Sequence, residues 1–130
     1  MSLAGKTAFV TGGGSGVGAA IASALAAEGA SVTICGRRQA PLDDMVAMHP
    51  GITGTVCDIT DEAAISDAIA KATPDIVIAN AGASESAPFT RTELAAFQRM
   101  VDVNLTGTFL TLREGAKAMK GKPWGRLIAI

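Results

Sequence analysis

The sequence predicts an α/β fold in which a parallel β-sheet is covered by helices on both faces. Short β-branched or apolar runs alternate with helix-length, alanine-rich stretches, which is typical of repeated strand–helix–strand units. Of the 130 residues, 48% are hydrophobic and 18% are charged, which is enough apolar material for one core. Neither a repeat nor a linker interrupts the pattern, so we expect one domain over residues 1–130.

The strands are predicted from short apolar runs bounded by glycine or polar residues. They are Thr7 to Thr11, Ser31 to Cys35, Thr53 to Cys57, Asp75 to Ala79 and Arg126 to Ile130. Strands of this kind belong to sheets that are packed on both faces, as the doubly wound α/β architecture requires.

Two helices are predicted in the first half of the chain. Val17, Ile21 and Leu25 recur every four residues and share one face, and Gly29 is placed to end this first helix. The alanines between them would let the helix lie close to the sheet. A short second helix is expected over Pro41 to Ala47.

The second half is predicted to contain a third helix and a longer helical region. The third helix begins at the polar stretch 60–62. Thr90 and Glu93 have the spacing of a capping box, which indicates a helix start at Thr90. Beyond that cap, apolar residues recur every three or four positions and predict one long helix or two abutting ones. They are Leu94, Phe97, Val101, Leu105, Phe109 and Leu112.

The charge balance argues against several classes of protein. A formal net charge of −1 lacks the excess of basic residues that nucleic-acid binding requires, so we expect no nucleic-acid partner. The longest apolar runs are far shorter than the roughly 18 residues that span a bilayer, and the N-terminal residues do not form a signal peptide. We therefore expect a cytoplasmic protein without membrane contact.

The histidine and cysteine counts are too low for an ordinary metal cluster, so no metal site is expected. The single histidine, His49, lies beside Pro50-Gly51 in a predicted loop, where we expect it to be solvated and not catalytic. Cys35 and Cys57 each end an apolar run. In a reducing compartment we expect them to be buried free thiols.

The strongest functional signal is the glycine-rich loop between the first strand and the first helix. It reads Thr11-Gly-Gly-Gly-Ser-Gly-Val-Gly18. A turn at this place exposes backbone N–H groups at a helix N-terminus, where a phosphate is favoured and the missing Cβ atoms allow close approach. The alternative is a merely flexible turn.

The glycine spacing Thr-Gly-x3-Gly-x-Gly, with Gly12, Gly16 and Gly18, resembles that of the short-chain dehydrogenase/reductase family. Further matches follow in the family's order: Asp58, then Asn80-Ala81-Gly82, then Asn104. Gly125-Arg-Leu-Ile128 resembles the family's fifth strand. The resemblance implies a Rossmann-like doubly wound sheet, of which this chain would form the first five strands in the order 3-2-1-4-5.

The resemblance also implies a dinucleotide site made by the loops that follow the strands. The expected cofactor-binding residues are Gly12, Ser15, Gly16, Val17, Gly18, Arg37, Arg38, Asp58, Ile59, Asn80, Ala81 and Gly82. Asp58 would accept a hydrogen bond from the adenine amino group, and residues 80–82 would contact the adenosine ribose and brace the sheet near Thr11. The alternatives are a helix N-terminal acid at Asp58 and an ordinary turn at residues 80–82.

Asn104 is the one residue of this chain for which the resemblance implies a catalytic part. The matching asparagine of the family holds a water in a proton relay to the active-site lysine. A polar side chain among Leu105, Phe109 and Leu112 is expected to have a partner. The alternative is that Asn104 only caps or kinks its helix.

Residues 36–38 are expected to decide the choice of cofactor. NAD-preferring sites place an acid about 20 residues after the glycine loop, whereas a 2′-phosphate requires positive charge. This chain has Gly36-Arg37-Arg38 there, which favours NADP(H) over NAD(H). The hydroxyl of Ser15 could add a contact. The alternative is a pair of solvated arginines.

The chain departs from the family where the chemistry should occur. Family members use a serine after the fifth strand and then a tyrosine and a lysine four residues later, whereas this chain contains no tyrosine. We therefore expect residues 1–130 to be the front half of the domain, incomplete at the C-terminal end and inactive alone. Leu127 to Ile130 would otherwise form an open apolar edge.

Two function classes remain at this point. One is an NADP(H)-dependent oxidoreductase that interconverts a small-molecule carbonyl and alcohol, with this chain as its cofactor-binding half. The other is a non-catalytic dinucleotide-binding fragment or pairing module. Phe109, Leu112, Ala116 and Met119 continue an apolar stripe on a helix that related enzymes pair across a twofold axis. This stripe predicts a homotetramer or homodimer.

Overall fold

A computed structural model describes residues 2–130 and confirms the predicted α/β fold. The parallel strands form one sheet in the order β3-β2-β1-β4-β5, as expected. The strands are β1 (Thr7–Thr11), β2 (Ser31–Gly36), β3 (Ile52–Val56), β4 (Ile76–Ala79) and β5 (Arg126–Ala129). The predicted strand ends are correct to within one residue because each apolar run is bounded by residues that cannot extend it into the core.

Helices cover both faces of this sheet. They are α1 (Gly16–Ala27), α2 (Gln39–Met48), α3 (Glu62–Ala72), α4 (Leu94–Val101) and α5 (Thr108–Ala118). A π-helical stretch over Asp102–Gly107, here called the π segment, joins α4 to α5. The long helical region is therefore continuous, and its hydrogen-bond pattern changes in the middle.

The core has two halves, one on each face of the sheet. Side chains alternate along β1, so that Ala8 and Val10 point to the α1 and α2 face while Phe9 points to the α3 and α5 face. Leu42 of α2 packs in the first half, and Ile65 of α3 packs in the second. The inner strands β1, β2 and β4 are largely buried on both faces, which explains their nearly continuous apolar runs, whereas β3 and β5 lie at the edges of the sheet and are mostly exposed. Within residues 2–130, every helix is too short or too polar to cross a membrane.

The predicted capping box at Thr90 and Glu93 is wrong. Thr90 lies inside a 3-10 turn over Phe89–Arg91, and Glu93 occupies the N-cap position of α4 without a side-chain capping bond. The turn follows Pro88, whose carbonyl accepts hydrogen bonds from Arg91 N and Thr92 Oγ1. These local bonds occupy the segment that the capping box would need, so the helix starts later.

The prediction that His49 is solvated is also wrong. His49 ends α2 and is half-buried, with its Nε2 3.0 Å from Ser23 Oγ. Ser23 Oγ donates its own proton to the Ala19 carbonyl at 2.9 Å, so the imidazole must be the donor in this pair. The contact therefore ties α2 to α1 and does not activate the serine as a nucleophile.

Asp75 fixes the starts of the two central strands. Its Oδ2 accepts a hydrogen bond from Thr7 N at 2.9 Å, and its Oδ1 accepts one from Lys122 Nζ at 2.9 Å. The Lys122 hydrogen bond, followed by that from Thr7 N, lowers the pKa of the Asp75 carboxyl below its ordinary value. The side chain is partly buried, so solvent screens its charge less than at the open surface.

We expect Asp75→Asn to lower the free energy of unfolding at neutral pH by about 1.5 kcal/mol, because the amide loses the charge-assisted bond to Lys122. A carboxyl whose pKa is lower in the folded state stabilises above its unfolded pKa of about 3.9, and that contribution disappears as the pH falls through the folded pKa. Urea unfolding at several pH values should therefore show the wild type and the variant converging in acid. Asp44→Asn, at an exposed position of α2, is the control. A difference that persists in strong acid would contradict this assignment.

Candidate functional site

A cleft of about 610 Å³ lies at the carboxyl ends of the central strands. It opens where the chain order reverses, because β1 is flanked by β2 on one side and β4 on the other. Open α/β sheets bind ligands at such a point. The cleft is lined by Gly12, Gly14, Ser15, Cys35, Gly36, Arg37, Arg38, Pro41, Leu42, Cys57, Asp58, Ile59, Asn80, Ala81, Gly82, Ala83 and Val103.

The glycine loop can take its shape only because several of its positions lack a side chain. Gly12 has a φ of +63°, in the left-handed region that glycine adopts without strain. A Cβ at Gly18 would lie 2.1 Å from the Gly12 carbonyl oxygen, so the start of α1 packs directly on the loop backbone. Apart from Ser15, the loop therefore brings only main-chain atoms to the edge of the cleft.

The first turn of α1 leaves backbone amide groups outside the helical hydrogen-bond ladder. Ala19 N makes the first helical hydrogen bond, to Ser15 O at 3.2 Å, so the amides of residues 16–18 precede the hydrogen-bonded ladder. Ser15 is the N-cap and makes no capping bond through its side chain. Ser15 lines the cleft, whereas Gly16, Val17 and Gly18 lie outside the lining found for the described chain. Their cofactor contacts remain predictions.

The Thr11 hydroxyl connects the glycine loop to the loop after β4. Thr11 Oγ1 accepts hydrogen bonds from Asn80 N and Ala81 N, both at 2.9 Å. In return, Asn80 Nδ2 donates to the Thr11 carbonyl at 3.2 Å. The Asn80 side chain is therefore committed to bracing the sheet near Thr11, and the wall of the cleft beside it is formed by Ala81 and Gly82.

Asp58 stands exposed at the end of β3 and lines the cleft. Its Oδ1 accepts hydrogen bonds from Thr60 N at 2.9 Å and from Thr60 Oγ1 at 2.7 Å. These bonds, with a smaller contribution from the Arg37 charge, lower the pKa of the Asp58 carboxyl. Asp58 is thus a fixed, ionised acceptor. Ile59, next to it, is buried and also lines the cleft.

Arg37 and Arg38 follow β2 and line the same cleft. Both are exposed, and within residues 2–130 neither guanidinium forms an ion pair. A surface arginine pair that is not neutralised by acidic neighbours can bind an anion bidentately. The cleft thus has two positive groups at the end of β2 and one negative group at the end of β3.

Asn104 lies in the π segment, and its side chain clamps the loop after β4. Its Oδ1 accepts a hydrogen bond from Ala83 N at 2.9 Å, and its Nδ2 donates to Ala83 O at 2.7 Å. The expectation that this residue has a partner is confirmed, and it makes no capping bond. A Cβ at Gly82 would lie 3.1 Å from Asn104 Oδ1, so this close contact also depends on a glycine. Asn104 is not part of the lining.

Several lining residues escaped prediction from the sequence. Cys57 directly precedes the predicted site residue Asp58, and Cys35 lies two residues before Arg37, so the rule that ligands bind beyond strand ends could have found both. Pro41 and Leu42 had no such signal, because α2 reaches the cleft through tertiary packing. Among residues 2–130, no three His, Cys, Asp or Glu side chains come together as a candidate metal site.

The geometry agrees with comparisons to known proteins. A family model for short chain dehydrogenases matches residues 6–130. The chain belongs to the short-chain dehydrogenase/reductase family. The Rickettsia prowazekii protein named 3-oxoacyl-[acyl-carrier-protein] reductase FabG is 34% identical over 132 residues, which cover 100% of this chain and 55% of the relative. The Mycobacterium avium protein named 3-oxoacyl-[acyl-carrier-protein] reductase MabA is 33% identical, and the match covers 96% of this chain and 48% of that protein.

Solved structures of the family share the fold. A short-chain type dehydrogenase/reductase from Mycobacterium marinum superposes with a TM-score of 0.92 at 32% identity, covering 98% of this chain and 56% of that one. A structure from Beutenbergia cavernae that contains NADP at low occupancy has a TM-score of 0.86 at 31% identity. The match covers 98% of this chain and 54% of that one. The chain thus spans about half the length of the relatives that it matches.

We expect Thr11→Val to destabilise the protein by about 2 kcal/mol, because the near-isosteric valine leaves Asn80 N and Ala81 N without their acceptor. Thr11→Ser keeps the hydroxyl and is the matched control. Urea unfolding measures both variants. Equal destabilisation by valine and serine would show that the methyl group, and not the hydroxyl, matters at this position.

Proposed function

We propose that this chain is the cofactor-binding part of an NADP(H)-dependent oxidoreductase that interconverts a carbonyl and an alcohol. Membership of the short-chain dehydrogenase/reductase family supports NAD(P)-dependent oxidoreduction in general. The observation that carries the finer proposal is the pair Arg37 and Arg38, which are exposed, form no ion pair within residues 2–130 and stand at the rim of a cleft that the glycine loop also lines. The whole protein's substrate and activity belong to this proposal.

The residues present fit a dinucleotide. The glycine loop and the first turn of α1 would hold the pyrophosphate through main-chain amides and Ser15, since the close backbone approach leaves no side chain in the way. Asp58, an ionised acceptor, would receive the adenine amino group, while Ile59 supplies an apolar surface beside it. Ala81 and Gly82 would border the adenosine ribose.

The two arginines favour a 2′-phosphate over a 2′-hydroxyl. An NAD site usually places a carboxylate at the end of the second strand to bind the ribose hydroxyl, and a carboxylate there would repel a phosphate. Here Arg37 and Arg38 follow β2 directly. Asp58 is held by Thr60 through Oδ1, at the end of the next strand. The charge at the ribose end is therefore positive.

When bound, the nicotinamide supplies the hydride that is exchanged with the substrate carbon. The chain's own part is to hold the dinucleotide and to fix the loop after β4. The bidentate bond between Asn104 and Ala83 holds that loop against the π segment, a helix irregularity that is frequent at functional sites. We infer that a proton-relay water, as in related enzymes, would be held from the Asn104 position.

We expect the protein to bind NADPH more tightly than NADH, and Arg37→Asp to reverse this preference. Loss of a bidentate phosphate contact costs about 1.5 to 3 kcal/mol, which is roughly tenfold or more in affinity. Isothermal titration with both cofactors measures the ratio. Arg91→Asp makes the same charge change at an exposed position outside the cleft lining and should leave the ratio unchanged. Equal wild-type affinities for NADPH and NADH would refute the NADP(H) preference.

A second candidate function is a dinucleotide-binding module without catalysis. The chain contains no tyrosine, and the family's general acid is a tyrosine, so these 130 residues hold no proton donor of that kind.

Self-association through Phe109, which is 56% exposed on α5, also stays a prediction.

We expect the 130-residue chain to bind NADPH without consuming it in the presence of a panel of ketones. Adding a separately produced second half that carries the family's serine, tyrosine and lysine should restore turnover. The fall in reduced-nicotinamide absorbance measures the rate. Turnover by the chain alone would show that the catalytic groups are misassigned, and binding without turnover in the complemented protein would favour the module.

A further inference from the structure

The cleft contains two buried thiols that the proposed function does not use. Cys35 lies in β2, and Cys57 follows β3; both are free. The strand register pairs Cys35 with Thr55, so Cys57 lies two residues further along on the same face of the sheet. Both side chains pack in the core half that contains Phe9, and both line the cleft.

The two thiols lie close enough to shift each other's pKa. The Cys35 thiol lowers the pKa of Cys57, against the opposing effects of burial and of the carboxylates of Asp58 and Asp61. The Cys57 thiol, together with burial, raises the pKa of Cys35. Cys57 is therefore the better nucleophile of the pair, and Cys35 is the neighbouring thiol that can resolve an oxidised Cys57.

Cys35 is also attached to the glycine loop. Its carbonyl oxygen accepts a hydrogen bond from Gly13 N at 3.3 Å, and the Gly12 backbone opposes the rise in the pKa of its thiol. Arg37 stands two residues after Cys35, and Asp58 directly follows Cys57. A displacement of the chain at Cys35 or Cys57 therefore reaches the glycine loop and the charged groups on both sides of the adenosine end of the cleft.

We propose that Cys35 and Cys57 form a two-thiol oxidation site, at which a hydroperoxide converts the pair to a disulfide and thereby weakens dinucleotide binding. A disulfide has an S–S length of about 2.0 Å, far shorter than any contact between two unbonded thiols. Closing it must draw the ends of β2 and β3 together, and the Cys35 carbonyl that holds Gly13 N lies in the part of β2 that moves. The dinucleotide part of this inference rests on the proposed function.

The reaction requires only the two thiols and one molecule of peroxide. The Cys57 thiolate attacks one peroxide oxygen, the O–O bond breaks, and the departing hydroxide takes a proton to leave as water. Cys57 is then a sulfenic acid. The Cys35 sulfur attacks the Cys57 sulfur, the S–O bond breaks, and the hydroxyl leaves as water with the Cys35 proton. Two thiols lose two electrons and one peroxide becomes two waters.

Dinucleotide binding and disulfide formation must weaken each other by the same factor. Cys57 is almost completely buried and reaches solvent only as part of the cleft lining. A dinucleotide in the cleft would cover it, so the bound protein should oxidise slowly. By linkage, if the disulfide form binds NADP⁺ less tightly, NADP⁺ must disfavour the disulfide by the same factor.

The test treats the reduced protein with hydrogen peroxide, with and without saturating NADP⁺, which cannot itself reduce the peroxide. Intact mass spectrometry and thiol counting report the thiols independently of any binding. We expect the loss of two hydrogens and of two thiols, slowed about tenfold or more by saturating NADP⁺ because few clefts then remain free. Titration calorimetry should then show NADP⁺ affinity reduced about tenfold or more in the oxidised protein, and restored by dithiothreitol.

Two variants identify the site. Cys35→Ser has no resolving thiol and should gain oxygen atoms instead of losing two hydrogens, whereas Cys57→Ser should keep its remaining thiol. The oxidised-to-reduced affinity ratio is compared within each protein, so a change in basal affinity does not affect the result. The wild-type mass measurement needs no variant and decides the issue even where a variant fails to fold.

Three results would overturn the proposal: thiols that stay reduced, a disulfide that joins two copies on a non-reducing gel, or an internal disulfide that leaves NADP⁺ affinity unchanged. If the reduced protein does not bind NADP⁺ at all, the proposed function fails and the linkage fails with it. The mass measurement still shows whether the oxidation site exists, so the two failures are distinguishable.

Discussion

The Thr11 hydroxyl sets the relation between the two loops that make the cleft. β1 and β4 are neighbours in the sheet, but the chain after β1 turns into α1 while the chain after β4 turns toward the π segment. A gap at this point is unavoidable, and its width must be fixed by contacts across it. One oxygen atom at the end of β1 accepts both Asn80 N and Ala81 N. This junction positions the glycine loop on one side and the loop after β4, which includes Ala83, on the other.

Close approach of the backbone is the second requirement of the site. Gly18 packs against the Gly12 carbonyl, and Gly82 packs against the Asn104 side chain. In both places a missing Cβ allows main-chain atoms to face a ligand or a bonding partner. The charged groups of the cleft, Arg37, Arg38 and Asp58, come from the ends of β2 and β3. The cleft thus separates a surface formed largely by backbone atoms from one that carries charged side chains.

The sequence predicted the sheet well because local composition determines it. A strand that is buried on both faces needs an apolar run, and each run ends where a polar or glycine residue begins. The start of α4 was mispredicted because Thr90 and Glu93 have the correct spacing, but the hydrogen bonds of Pro88 close a turn over them first. The contact of His49 with Ser23 joins two helices that are far apart in sequence, and no local pattern contains it. For the same reason Pro41 and Leu42 could not be assigned to the cleft.

The clamp between Asn104 and Ala83 has a consequence for motion. Two hydrogen bonds to a single residue prevent rotation of the loop about either bond alone. A second tie, the bidentate pair of Arg99 with Glu85 at 2.8 Å, holds the same loop to α4. The loop after β4, the end of α4 and the π segment should therefore move as one body on the timescale of ligand exchange. Any opening of the cleft must then come from movement of the opposite rim, where the exposed Arg37 and Arg38 follow β2.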